Sequence, residues 1–193
     1  MWGLAWNGWR MTGFSLGALH AQPASAHPDL TAPPTAALIA ALGWGDRLGV
    51  AAIDPTLSDT AAFVAEYGVT EDTAANCVVV AGARNGEERV AACVILANTR
   101  ADVNGAVRKL LDVRKASFLP LDEAVQCTSM EYGGITPIGL PGKWRILIDS
   151  RVTKVPLVTL GAGIRAAKIV APGALLAELP GAEVIEDLAR PVA

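Results

Sequence analysis

The sequence has 193 residues, of which 52% are hydrophobic and only 18% charged, with a formal net charge of −3. That length suits one domain with a sizeable core, and the acidic balance excludes a broad cationic face for nucleic acid, though not a small basic patch touching part of an RNA. Three cysteines without a CxxC pair exclude a secreted disulfide scaffold, and only two histidines, His20 and His27, exclude a His-rich metal centre.

Residues 1–30 read as a leader. The stretch MWGLAWNGWRMTGFSLGALHAQPASA is apolar, but Asn7, Gly8 and Arg10 interrupt it and no basic segment opens it. It is too short and broken to span a membrane, and a signal peptide is the weaker reading. A disordered leader is expected, with a start at Met11 or later as the competing account. No later segment reads as a transmembrane helix. A cytoplasmic protein is expected, with its ordered domain over 31–193.

Pro33 and Pro34 open an apolar helix through TAALIAALGW, and Gly43 and Gly45 close it. RLGVAAID gives a short strand and Asp54-Pro55 a turn. SDTAAFVAEYG reads as a helix capped by Ser58 or Asp59, with Phe63 and Tyr67 four apart and Gly68 at its exit. Thr70 is expected to cap a further short helix, EDTAA. NCVVVAGA and RVAACVILAN are strands, and the polar link Arg84-Asn85-Gly86-Glu87 predicts an antiparallel hairpin. Cys77 and Cys93 lie in these apolar runs and read as buried thiols.

TRADVNGAVRKLLDVRKAS predicts a helix. Thr99 and Asp102 have capping-box spacing, and Val103, Val107, Leu110 and Leu111 form its apolar stripe. Ala116–Phe118 is a short strand and PLDEAVQCT a short helix. WRILIDS and KVPLVTL are strands expected against or beside each other, with Pro156 marking a strand start or edge. GAGIRAAKIV holds a turn and a strand, PGALLAELPG a helix, and AEVIEDL a final strand or irregular tail. Strands and short helices mix without a regular βαβ period, so the fold class is α+β with a mixed, largely antiparallel sheet.

The segment Tyr132-Gly133-Gly134-Ile135-Thr136-Pro137-Ile138-Gly139-Leu140-Pro141-Gly142 carries the strongest functional signal. Its glycines allow positive φ and close approach of another backbone or a phosphate, and its prolines stiffen the turns between them. Composition leaves two readings open, a cavity lined by backbone N–H groups and a rigid connection. It is not a P-loop. A second turn, Gly161-Ala162-Gly163-Ile164-Arg165, offers N–H groups beside an arginine, which suits an anion site or a plain domain edge. Arg100, Arg108, Lys109, Arg114 and Lys115 form either a phosphate-facing patch or salt-bridged surface charge. Ser117, Thr128, Ser129, Thr136 and Ser150 lack a histidine in the domain to serve as base, so a Ser-His-Asp or Cys-His set is not expected.

The segments AANCVVVAG, ACVILANTRADVNGAVRKLLDVRKASF, TSMEYGGITPIGLPGKWRILIDS, GAGIRAAKI and PGALLAELPGAEV, in this order, resemble the YbaK/prolyl-tRNA synthetase-associated domain family of free-standing aminoacyl-tRNA editing domains. The resemblance runs from about Leu38 to Leu188, and GGITPIGLP is its most specific part. It implies a barrel-like mixed sheet flanked by helices and a pocket for the aminoacylated 3′ end of tRNA. It further implies deacylation of a wrongly attached small amino acid, such as alanine or cysteine, from proline tRNA. No metal or organic cofactor is implied, and a prolyl-tRNA synthetase is an expected partner.

The resemblance also assigns residues. Gly133 to Pro137 matches the family's GxxxP motif, whose backbone N–H groups at Gly133 and Gly134 would hold the scissile carbonyl or its oxyanion. Ile135, Thr136 and Pro137 would contact substrate, as would Asp149, Gly161, Gly163 and Arg165, with Val78 and Ile138 as further wall residues. The family places a lysine at the opening of the central strand, where this chain has Asn76. Asparagine can hydrogen-bond but cannot neutralise charge. The alternative reading is therefore a non-catalytic tRNA- or aminoacyl-binding domain.

Overall fold

A computed structural model describes residues 14–192 of the chain. The first element is a hairpin of β1 (Phe14–Leu16) and β2 (Leu19–Pro23), followed by a 3₁₀ turn at Pro28–Leu30. This corrects the expected leader for residues 14–30. Phe14 and Leu19 are fully buried, and Ala18 N–H donates to the Tyr67 carbonyl at 2.7 Å, so the hairpin is part of the core. The tryptophan-rich residues 1–13, including Met11, lie outside the described residues.

Helix α1 (Pro33–Ala41) leads to β3 (Gly49–Ala52) and then α2 (Thr60–Tyr67), whose cap is Asp59 accepting from Ala61 N–H at 3.0 Å. The expected short helix EDTAA is instead a turn closed by Thr73 N–H to the Thr70 carbonyl at 2.9 Å. Strands β4 (Ala75–Arg84) and β5 (Glu87–Leu96) form the predicted antiparallel hairpin. Its two-residue turn places Asn85 at φ 54° and Gly86 at φ 81°, the mirror-image geometry that suits strand twist.

The helix expected over TRADVNGAVRKLLDVRKAS is interrupted. Thr99 belongs to strand β6 (Thr99–Ala101), Asp102 caps a π-helical turn at Val103–Val107 through Ala106 N–H at 3.2 Å, and only α3 (Arg108–Leu110) is regular. Gly105 permits this because a Cβ there would meet the Asp102 carboxylate at 2.1 Å. Then come β7 (Ala116–Phe118), α4 (Leu121–Thr128), β8 (Arg145–Asp149), α5 (Ser150–Thr153), β9 (Val158–Gly161), β10 (Ala167–Ala171), α6 (Gly173–Leu176), β11 (Ala182–Ile185) and β12 (Ala189–Pro191).

The strands form two five-stranded sheets, ordered β1-β2-β3-β10-β9 and β11-β8-β5-β4-β7, with β6 and β12 paired separately. Only β5–β8 and β8–β11 are parallel, so the sheet system is mixed and largely antiparallel, as expected. β8 and β9 are not hydrogen-bonded neighbours; they stand in different sheets and pack against each other through the core, Ile146 and Ile148 with Val158 and Leu160. A bridge between Ala74 and Thr159 joins the sheets at the start of β4, giving the curled, barrel-like form.

Apolar side chains fill both sides of each sheet. Val50, Leu160 and Ile169 from one sheet meet Val94, Ile146 and Ile148 from the other. The outer face of the first sheet packs Val170 and Ile53 on Phe63 of α2, and the outer face of the second packs Val80, Cys93 and Leu147 on Val107 and Leu111. Alternation along β10 therefore sends Ile169 inward between the sheets and its neighbours Lys168 and Val170 toward α2.

Candidate functional site

The two glycine turns meet. Gly163 N–H donates to the Gly134 carbonyl at 2.7 Å, and Glu131 N–H donates to the Gly163 carbonyl at 2.8 Å. A Cβ on Gly161 would lie 2.2 Å from the Gly134 oxygen, and one on Gly134 would lie 2.6 Å from the Ile164 oxygen. Only glycine lets these two backbones approach so closely. The Tyr132–Gly142 loop is thus held rigidly against the end of β9 and the turn that leads to β10.

An open cavity of about 550 Å³ lies beside this junction. Asn76, Cys77 and Val78 of β4 form one wall, Gly133 and Ile135 another, and Ser58, Gly161, Arg165 and Lys168 close it. Phe118 (60% exposed) and Tyr132 (58% exposed) stand at its mouth. The Arg165 guanidinium lies 5.9 Å from the Tyr132 ring and donates to the carbonyls of Tyr132 and Pro55 at 3.2 and 3.1 Å.

Of the expected site residues, Asn76, Gly133, Ile135, Gly161 and Arg165 converge here. Asn76 accepts from Thr60 Oγ1 at 2.8 Å, which leaves its Nδ2 protons for a ligand. No described group accepts from the N–H of Gly133 or Ile135. The remaining assignments are corrected. Gly134 N–H donates to the Glu131 carbonyl at 3.0 Å, so it is spent inside the loop and Gly134 does not line the cavity. Gly163, Thr136 and Pro137 also stand behind the wall: Gly163 is packed on Ala32, and Thr136 and Pro137 are buried. Val78 lines the cavity; Ile138, fully buried, does not.

Asp149 is a structural residue. It is 1% exposed, and its carboxylate accepts from Arg151 N–H at 2.9 Å, Arg151 Nη1 at 3.1 Å and Ala189 N–H at 2.9 Å. It caps α5 and ties down β12 rather than meeting a ligand. Asp149→Ala leaves these donors unpaired and is expected to cost ~3–5 kcal/mol, read from urea unfolding.

In the sequence Lys168 reads as one more polar residue on a strand. It is 8% exposed, donates to the Ser58 carbonyl at 3.2 Å, and stands 4.9 Å from the Phe63 ring centroid. Burial pushes its pKa down to about 8; Asp59 opposes that shift and Arg165 adds to it. Period-two alternation on β10, with Lys168 on the face shared by Val170, was the one available signal. Lys168 also borders a smaller cavity of about 10 Å³ with Thr60, Asn76 and the buried Thr159, room for one water at most.

The two thiols of the β4–β5 hairpin are unsuited to nucleophilic work, and the exposed Cys127 does not line the cavity. Burial raises the pKa of Cys77 well above the ordinary thiol range and that of Cys93 to about 12. Among the described residues, no group of three or more His, Cys, Asp or Glu side chains is placed to hold a metal, and no helix is long and apolar enough to cross a membrane. Arg100, Arg108, Lys109, Arg114 and Lys115 form no ion pairs among the described residues and do not line the cavity.

A family model described as an aminoacyl-tRNA editing domain matches residues 54–179. That span contains every wall of the cavity. Among solved structures, a hypothetical protein is similar with a TM-score of 0.70 at 23% identity, over 81% of this chain and 99% of that one. A candidate trans-editing enzyme for prolyl tRNA synthetase is similar with a TM-score of 0.68 at 18% identity, over 86% of this chain and 96% of that one. A scaffold protein used for computational epitope grafting reaches 0.68 at 19% identity, over 80% and 95% of the two chains. At these identities the likeness is one of fold. No curated protein matches the sequence.

Proposed function

The chain belongs to the aminoacyl-tRNA editing domain family, and from that premise we propose that it hydrolyses the ester of a wrongly attached small amino acid on proline tRNA. One observation carries this reading. β4, the Gly133–Ile135 segment and the Gly161–Arg165 turn bring Asn76, unpaired backbone N–H groups and an arginine to a single open cavity. The mouth suits the 3′ end of an RNA: Phe118 and Tyr132 offer exposed rings for stacking bases, and Arg165 offers a charge for a phosphate.

In this reading the N–H groups of Gly133 and Ile135 meet the ester carbonyl, and Asn76 Nδ2 orients the terminal nucleotide. With no histidine or reactive thiol on the cavity wall, the terminal ribose hydroxyl of the substrate activates the attacking water. A prolyl-tRNA synthetase is the matching partner, and the cytoplasm the matching compartment.

The test is release of amino acid from alanyl- and cysteinyl-tRNA for proline by the purified chain. Release at least ~100-fold above the uncatalysed rate is expected, a modest demand beside known enzymatic accelerations. A second reading is motivated by Asn76 standing where a lysine is expected: a domain that binds the acceptor end without turnover. Tight binding of a non-hydrolysable, amide-linked aminoacyl analogue, with no release across a broad amino-acid panel, would select it.

A further inference from the structure

We propose that Lys168 is the cation of this site, its ammonium facing, from the cavity floor, the oxygen that gains negative charge as water adds to the substrate's carbonyl carbon. This rests on the hydrolytic reading above. The argument starts from an imbalance. A buried ammonium is costly unless paired, and Lys168 has one carbonyl partner and one aromatic face, with no described carboxylate in ion-pair contact. A methionine or leucine could fill the same space against Phe63 without that cost. The side chain borders the open cavity rather than the sealed core, so the missing counter-charge can come from a ligand.

Depth decides which part of the ligand it meets. Phe118 and Tyr132 are exposed at the mouth, whereas Lys168 is 8% exposed. Nucleotide bases and phosphate therefore belong at the rim with Arg165, and the acyl end reaches the floor. Ser58 ties the floor to the glycine loop. Its carbonyl accepts from Lys168 Nζ at 3.2 Å, while its Oγ lies 3.1 Å from where a Cβ on Gly133 would stand. The ammonium and the Gly133 backbone thus border one small region. A fixed positive charge in such a partly dry site is worth far more than one in water.

The step balances without a further reactant. The water oxygen bonds to the carbonyl carbon, and the C=O electron pair moves onto the carbonyl oxygen opposite Lys168. When that pair returns, the bond to the ribose oxygen breaks, and the ribose oxygen leaves with a proton supplied by the water. The products are a free amino acid and a tRNA bearing both terminal hydroxyls; the ammonium is unchanged.

The charge is pH-dependent. Asp59 at the cap of α2 favours the ammonium, Arg165 disfavours it, and Cys77 on β4 stays a neutral thiol; burial dominates and sets the pKa at about 8. The charged form is present below that value and lost as pH rises through it. Background-corrected deacylation should therefore fall above about pH 8.

The experiment measures kcat and KM of the full chain on mischarged proline tRNA. Lys168→Met is expected to lower kcat by ~30-fold or more with KM within about threefold, at the lower end of the loss seen when an oxyanion donor is removed. It should unfold at the same or a higher temperature, because a costly buried charge is gone. Lys168→Arg should keep part of the activity and lose the fall above about pH 8. Asn76 borders both cavities that Lys168 borders, so the double variant Asn76→Lys/Lys168→Met should regain about tenfold over Lys168→Met. Lys168→Gln repeats the measurement should the methionine variant unfold. Unchanged kcat in a folded Lys168 variant overturns this inference and leaves the hydrolytic reading standing. A rise in KM alone overturns the placement at the acyl end. No release by the wild type removes both.

Discussion

Gly161→Ala is expected to lower deacylation about 100-fold and to destabilise the fold by ~1–3 kcal/mol or more, the usual penalty for forcing a methyl group into a filled space. The added Cβ would stand 2.2 Å from the Gly134 carbonyl oxygen and 2.8 Å from the Ile135 oxygen. Both obstacles are backbone, so no side chain can rotate away. The loop must retreat from β9, breaking the 2.7 Å hydrogen bond from Gly163 N–H to the Gly134 carbonyl. Gly133 and Ile135 move with it. A shift near 1 Å in groups that orient a reacting carbonyl costs about 100-fold in rate. The measurement pairs urea unfolding with kcat/KM on mischarged proline tRNA. A folded Gly161→Ala protein with wild-type activity would show that the two glycine turns need not touch for the site to work.

The second large effect lies far from the cavity. Phe14→Ala should cost ~3–5 kcal/mol, the range for emptying a fully buried phenylalanine position. Phe14 is fully buried beside Leu19, Ala21, Ile53 and Val170, and Gly49 is open to it: a Cβ there would lie 2.7 Å from the Phe14 ring. Val170 and Phe63 share this apolar cluster, and Phe63 is the ring beneath the Lys168 ammonium. The hairpin therefore supports the floor of the site through one layer of packing. Unfolding midpoints in urea for wild type, Phe14→Ala and Phe14→Leu would measure it. Equal midpoints would mean that the hairpin contributes nothing to the folded domain.

Local rules carried much of the sequence reading. Asp59 caps α2 and Gly68 ends it, and the Asn85-Gly86 turn joins two strands whose side chains alternate. These signals act within a few residues, so they survive without knowledge of the rest of the chain. They failed where a distant partner decided the outcome. The apolar, glycine-punctuated residues 14–23 looked unstructured because β1 pairs only with β2, and β2 becomes worthwhile only when β3 and the Phe63 cluster receive it. The stripe after Thr99 looked like one helix because periodicity cannot reveal that β6 pairs with β12 or that Asp102 turns back on Gly105.

The site divides the same way. GGITPIGLP and GAGIR mark the two turns that meet beside the cavity, and both lie within the span that the family model matches. Sequence by itself thus determined the fold class and the family, and it marked the two glycine turns that meet in the fold, because glycine spacing and strand patterning are local. Tertiary structure alone decided which side chains share the cavity. It turned Asp149 inward to three protein donors, spent the Gly134 N–H within its own loop, and brought Lys168 from β10 next to Asn76 on β4. The physical reason is that charge and hydrogen-bond pairing depend on distance in space, and strands far apart in the chain are set side by side only when the two sheets close on each other.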